Sequence, residues 1–155
     1  MITLIEKAAS YKDRIAIKSE GHTYTYNDLL VASEMIASDL LAGRKDLNEM
    51  RVAFLVAPGF TYTSIQWGIW SAGGIAVPLC IKHPLASIQY VIEDAQAEVL
   101  IFSEAFKTLI APLKSNTSIR FIHSEHFKKS RTILPSIALE QRAMILYTSG
   151  TTGKP

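Results

Sequence analysis

Apolar residues change their rhythm along the chain at regular intervals, and turn residues fall where the rhythm changes. After an opening amphipathic turn or two over Thr3 to Tyr11, IAIK and HTYTY read as short strands, the second alternating polar and aromatic residues as a half-buried strand does. Thr25-Tyr26-Asn27-Asp28 has the spacing of a helix start, in which a hydroxyl and a carboxylate satisfy free backbone N–H groups. Leu29, Ala32, Ile36 and Leu40 follow at helical spacing, and Gly43 is placed to end that helix in a left-handed conformation. The pattern predicts a helix with one face made to pack on a sheet.

From Val52 to Ile81 no side chain is charged. That length alone spans a bilayer, but Pro58-Gly59, Gly73-Gly74 and Pro78 divide it into a strand (RVAFLVA), a helix (FTYTSIQWGIWSA) and a strand (GIAVPL). A buried β-α-β unit is predicted instead. Pro84 then suits the first position of a helix striped by Leu85, Ile88, Val91, Ile92 and Ala95. EVLIF is a strand, SEAFKTLIAPL a short helix stopped near Pro112, and IRFIH a further strand. RAMILY closes the series as a nearly continuous apolar strand of the kind buried on both faces of a parallel sheet.

Strands alternating with helices long enough for crossovers define an α/β fold, a mostly parallel sheet with helices on both faces. Ligands of open sheets of this type bind beyond the carboxyl ends of the strands, where loops and helix N-termini converge. The last eight residues, TSGTTGKP, leave a strand at such an end.

Composition narrows the picture modestly. An apolar content of 48% in 155 residues suffices for one packed domain. Sixteen basic against fourteen acidic residues give a formal charge of +2, too small to imply nucleic acid as a partner, and the run KKSR (Lys128 to Arg131) is read as a solvated loop. A single cysteine rules out an intramolecular disulfide framework and suits a reducing, cytoplasmic compartment. The N-terminus lacks the pattern of a signal peptide, and no transmembrane segment is expected.

The terminal loop is suited to a polyphosphate. Thr148, Ser149, Thr151 and Thr152 offer hydroxyl donors, Gly150 and Gly153 permit close backbone approach, and Lys154 adds a positive charge at the rim. It is not a Walker loop, since position 148 is Thr and position 155 is Pro. It is neither a G-x-G-x-x-G fingerprint nor a G-x-S-x-G nucleophile elbow. A frayed Ser/Thr/Gly tail is the alternative that composition leaves open.

YTSGTTGKP closely resembles the phosphate-loop signature of the adenylate-forming superfamily, which includes acyl-CoA synthetases, peptide-synthetase adenylation domains and luciferases. Two upstream stretches support the match in family order: TYTYNDLL resembles an early helix start of the family, and WSAGGIAVPLCIKHP resembles its Gly- and Pro-containing segment. The resemblance implies a two-step ligase. A carboxylic acid attacks the α-phosphate of ATP, with magnesium (Mg2+) neutralising charge, and the acyl-adenylate then passes to the thiol of CoA or of a carrier protein. It also implies that residues 148–154 hold the β- and γ-phosphates, stabilising charge as phosphoryl-transfer sites do.

WGIWSAGGIAVPLCIKHP is similar in particular to malonyl-CoA synthetase-like members, which favours a CoA ligase over a carrier-loading domain. The chain stops at Pro155, before the lysine that follows in the family signature and before the family's adenine, carboxylate, magnesium and ribose sites. Residues 1–155 are therefore expected to be the N-terminal portion of an adenylation domain, inactive alone and prone to self-association through apolar surface left uncovered. The rival from another class is a non-catalytic, flavodoxin-like α/β binding module.

Three further constellations are assigned no role. His123 and His126 lack a third ligand at a persuasive spacing and are read as a surface turn. Cys80, with His83 nearby, is read as buried at a strand end rather than as a nucleophile. Trp67 and Trp70 are read as core.

Overall fold

The computed structural model of the chain describes residues 2–115, 118–128 and 131–148. A short helix, α1 (Thr3–Ala9), precedes an antiparallel hairpin of β1 (Ile15–Ser19) and β2 (His22–Thr25). The chain continues through α2 (Tyr26–Leu41), β3 (Arg51–Leu55), α3 (Phe60–Ser71), β4 (Ile75–Pro78), α4 (Leu85–Asp94), β5 (Val99–Phe102), α5 (Lys107–Ile110) and β6 (Arg120–His123). Strands β4, β3, β5 and β6 lie side by side in that order, all parallel. This is the α/β architecture that the alternating pattern predicts.

The helix start at Thr25 takes the form its sequence dictates. The Thr25 hydroxyl accepts from the Asp28 backbone N–H (3.1 Å), and the Asp28 carboxylate accepts from the Thr25 N–H (2.8 Å), closing a capping box. Termination differs slightly from expectation. The left-handed turn begins at Ala42 (φ 47°) and Gly43 continues it at φ 89°, so the break starts one residue before the glycine. Around α5 the helical stretch is three short pieces, with 3-10 turns at Glu104–Phe106 and Ala111–Ser115. Pro112 is the second residue of the latter turn, where its missing N–H costs no helical bond.

Strand β3 explains why the stretch from Val52 onward carries no charge. Val52 and Phe54 enter one core with Ile36, Leu40 and Leu41 of α2 and Ile65 and Ile69 of α3. Ala53 and Leu55 enter the opposite core with Ile88, Val91 and Ile92 of α4. These four of the five β3 residues have no solvent exposure. Burying a side chain the size of Phe54 or Leu55 contributes about 1.5–3 kcal/mol, whereas an unpaired charge there would cost more than that gain. No helix among the described residues is long and apolar enough to cross a membrane.

Two glycines set how closely these layers approach. At Gly68 of α3 a Cβ would stand 2.6 Å from Ile36 Cγ2 and 3.0 Å from the Ser33 carbonyl oxygen, so α2 and α3 pack almost backbone to backbone. Gly73, at φ 82°, makes the turn from α3 into β4, and a Cβ there would fall 2.0 Å from the Asp46 carboxylate. Trp67 is buried against Ile5, Ala8 and Leu29, in a third cluster that joins α1 to the α2–α3 layer.

Gly68→Ala is expected to destabilise the chain by about 1–3 kcal/mol through overpacking, and by less in an Ile36→Ala background. Urea unfolding of the two single variants and the double variant checks this. Additive costs would show that the two residues do not meet.

Candidate functional site

The segment leading into YTSGTTGKP runs along the outer edge of β4. The Ala76 N–H donates to the Ala143 carbonyl (3.0 Å) and the Ile145 N–H donates to the Ala76 carbonyl (3.0 Å), forming one parallel bridge at Met144. RAMILY is therefore not the doubly buried strand that its apolar run predicts. The next step of a parallel ladder requires the N–H of residue 78, and Pro78 has none. Pairing stops there, and Leu146 is 66% exposed.

Side chains take over where the ladder ends. On the amino side, Glu49 accepts from the Arg142 backbone N–H (2.8 Å) and from Arg142 Nε (3.0 Å), and it also pairs with Arg142 Nη2. Trp70 of α3 donates its indole N–H to the Ala143 carbonyl (2.6 Å). On the carboxyl side, the Tyr147 hydroxyl donates to Asp94 Oδ2 (2.5 Å), and the ring meets Tyr90 edge-on with centroids 6.5 Å apart. The segment is thus tied to the α3–β4 layer at one end and to α4 at the other.

These contacts shift protonation in opposite senses. The Arg142 side chain, and then its backbone N–H, hold the Glu49 carboxyl below its ordinary value. Burial, and then the hydrogen bond to Asp94, push the Tyr147 phenol up, so it stays a neutral donor at physiological pH. Thr148 follows Tyr147 with its side chain exposed, beyond the carboxyl end of β4. The other expected phosphate-binding residues, Ser149, Gly150, Thr151, Thr152, Gly153 and Lys154, lie outside the described residues.

Glu49, Trp70, Asp94 and Tyr90 were not legible as site residues. They meet the segment across separations of 93, 73 and 53 residues for the first three, and nothing in local spacing points to them. Trp70 is half-buried and has a polar duty beyond the core packing expected of it. An open, mainly apolar cavity of about 280 Å³ beside Trp70, Gly73 and Leu139 lies at the amino end of the segment, away from Thr148.

Of the remaining candidates, His123 ends strand β6 and is half-buried, so it does not lie in a surface turn, while the exposed His126 follows in the turn beyond it. The His123 Nε2 and Glu104 Oε2 atoms are 2.8 Å apart, Nδ1 accepts from the Glu125 N–H (3.3 Å), and the His126 ring lies 4.5 Å from the His123 ring. Among the described residues no three His, Cys, Asp or Glu side chains gather to hold a metal. Cys80 is exposed, contrary to expectation, because the chain turns immediately after Leu79, with the His83 N–H bonded to the Cys80 carbonyl (3.1 Å).

Comparison with known proteins gives a consistent picture. The sequence model of a family described as AMP-binding enzyme matches residues 4–155. The chain is 34% identical over 161 residues to human mitochondrial malonate–CoA ligase, covering 96% of this chain and 28% of that protein. It is 29% identical over 164 residues to a nonribosomal peptide synthetase of Fusarium pseudograminearum, covering 98% of this chain and 2% of that protein. In structure it superimposes on the o-succinylbenzoate coenzyme A synthetase of Bacillus subtilis in complex with AMP, with a TM-score of 0.84 at 22% identity, over 100% of this chain and 41% of that one. The chain spans less than a third of the length of the malonate–CoA ligases that it matches.

Because Glu49 is depressed in the folded chain, the stability it contributes is present above its ordinary value of 4.5 and is lost as pH falls through the lower folded value. Arg142→Met is expected to bring the Glu49 titration back up toward its ordinary value, as read by carboxyl-carbon NMR. An unchanged titration would mean that the pair does not form in solution.

Proposed function

Because the chain belongs to the AMP-binding enzyme family, we propose that it is the N-terminal portion of the adenylation domain of an acid–thiol ligase. In this reading residues 148–154 form the cradle for the β- and γ-phosphates of ATP. The acid's carboxylate oxygen attacks the α-phosphorus, the bond to the β-phosphate oxygen breaks, and pyrophosphate leaves. The donors of the loop stabilise charge gathering on the departing phosphates. What supports this above all is that the loop departs from the carboxyl end of a parallel sheet, from a segment clamped at both ends.

CoA is proposed as the acceptor and a short dicarboxylic acid of the malonate kind as the substrate, since relatives at 31% and 34% identity are named malonate–CoA ligases. Magnesium is part of the proposal through the family. The described residues supply no carboxylate set for it, so none of them is assigned as its ligand. A cytoplasmic location is also proposed, although several animal relatives are named as mitochondrial. The 155 residues alone are proposed to lack adenylation activity and to self-associate, with Ile133, Leu139 and Leu146 exposed at 92%, 87% and 66%.

Carboxylate-dependent exchange of pyrophosphate into ATP by the whole protein tests the reading. Exchange is expected with malonate or a close homologue, followed by thioester formation with CoA, and none is expected from the isolated 155 residues. Thr151→Val is expected to lower kcat/KM for ATP by about 10- to 100-fold, the worth of one hydrogen bond to a charged group. Exchange with amino acids and transfer only to a carrier protein would favour a carrier-loading domain. No exchange with any acid would overturn the ligase reading.

A further inference from the structure

We propose that Asp94 is a positioning residue for nucleotide binding, its carboxylate holding the Tyr147 hydroxyl and thereby fixing the backbone from which residues 148–154 depart. This rests on the reading of those residues as the ATP phosphate loop.

The need for such an anchor follows from β4. Its ladder to the terminal segment consists of the two bonds around Met144, and Pro78 removes the donor for the next step. After Ile145 the backbone leaves the sheet, and Leu146 points into solvent. Tyr147 is the residue that turns back to the body of the protein. Its ring packs on the core beneath α4, edge-on to Tyr90, and its hydroxyl reaches the last residue of α4.

The chosen support is rigid. Ile88, Val91 and Ile92 fix α4 on the sheet with exposures of 1–3%, and Arg51 of β3 donates to the carbonyls of Ala95 (3.1 Å) and Gln96 (3.0 Å) just past the helix end. Asp94 therefore belongs to an element held at its face and at its terminus. An ionised carboxylate can only accept, and a neutral phenol is a strong donor, so the pair forms one charge-assisted bond of defined direction. Burial and the carboxylate both keep the phenol protonated, so the bond persists across the neutral range. A loop bound to a polyphosphate gains most from a fixed origin, because ordering it on binding would otherwise weaken affinity.

The test uses the whole protein and compares Asp94→Ala, Asp94→Asn, Tyr147→Phe and the Asp94→Ala/Tyr147→Phe double variant. Asp94→Ala and Tyr147→Phe are each expected to raise KM for ATP about tenfold, with KM for the acid and for the thiol unchanged. The double variant should be no worse than either single variant, and Asp94→Asn, which still offers an acceptor, should recover most of the loss. Thermal unfolding of each variant shows whether the fold survives, and Tyr147→Phe, which keeps the buried ring, is the variant least exposed to that failure. An active protein whose KM for ATP is unmoved in Tyr147→Phe, or losses that add in the double variant, would overturn the role of Asp94 alone. Absence of exchange by the unsubstituted protein would overturn the phosphate-loop reading and this role with it.

Discussion

The double-sided burial of β3 is the constraint on which the rest of the structure depends. Each of its faces belongs to a different core, with α2 and α3 on one side and α4 on the other. A strand in that position tolerates no uncompensated charge and no register slip, because a shift of one residue would exchange the two faces. Its neighbours inherit the constraint: β4 and β5 pair with it over four residues each, and the close α2–α3 contact at Gly68 brings both helices down on the same face. The hairpin and α1 pack outside this frame, against Leu29 and Trp67.

On such a frame the carboxyl edge of the sheet is a natural place for a ligand, and the terminal segment is carried to it by a mixture of backbone and side-chain ties. Backbone pairing reaches only to Ile145, because Pro78 stops it. Glu49, Trp70 and Asp94, from three separate parts of the chain, complete the attachment. In the proposed reading, a donor-rich phosphate loop would take its precision from what holds its ends. The described end is held by an element of the rigid core.

Much of this was legible in the sequence for reasons that are local. The uncharged stretch with its glycine and proline punctuation specified a β-α-β unit, and Thr25 to Asp28 specified a capped helix start. What was misread depended on neighbours distant in sequence. The run RAMILY is as apolar as a buried strand, yet a proline on the adjacent strand limits it to a bridge. Cys80 is apolar enough to be buried, but the chain turns to the surface after Leu79. The clamp residues escaped because a tryptophan in a helix and an acid at a helix end have ordinary local explanations. The phosphate loop proposed for residues 148–154 rests on composition and resemblance, and of those residues Thr148 is the one that the structure describes.

The central claim, that residues 148–154 cradle the triphosphate of ATP at the carboxyl edge of this sheet, is tested most directly by a crystal structure of the whole protein with a non-hydrolysable ATP analogue. The account predicts the β- and γ-phosphates within hydrogen-bond distance of the hydroxyls and backbone N–H groups of that segment, with the Tyr147–Asp94 bond intact beneath it. A triphosphate bound elsewhere, with the segment making no contact to it, would contradict the account.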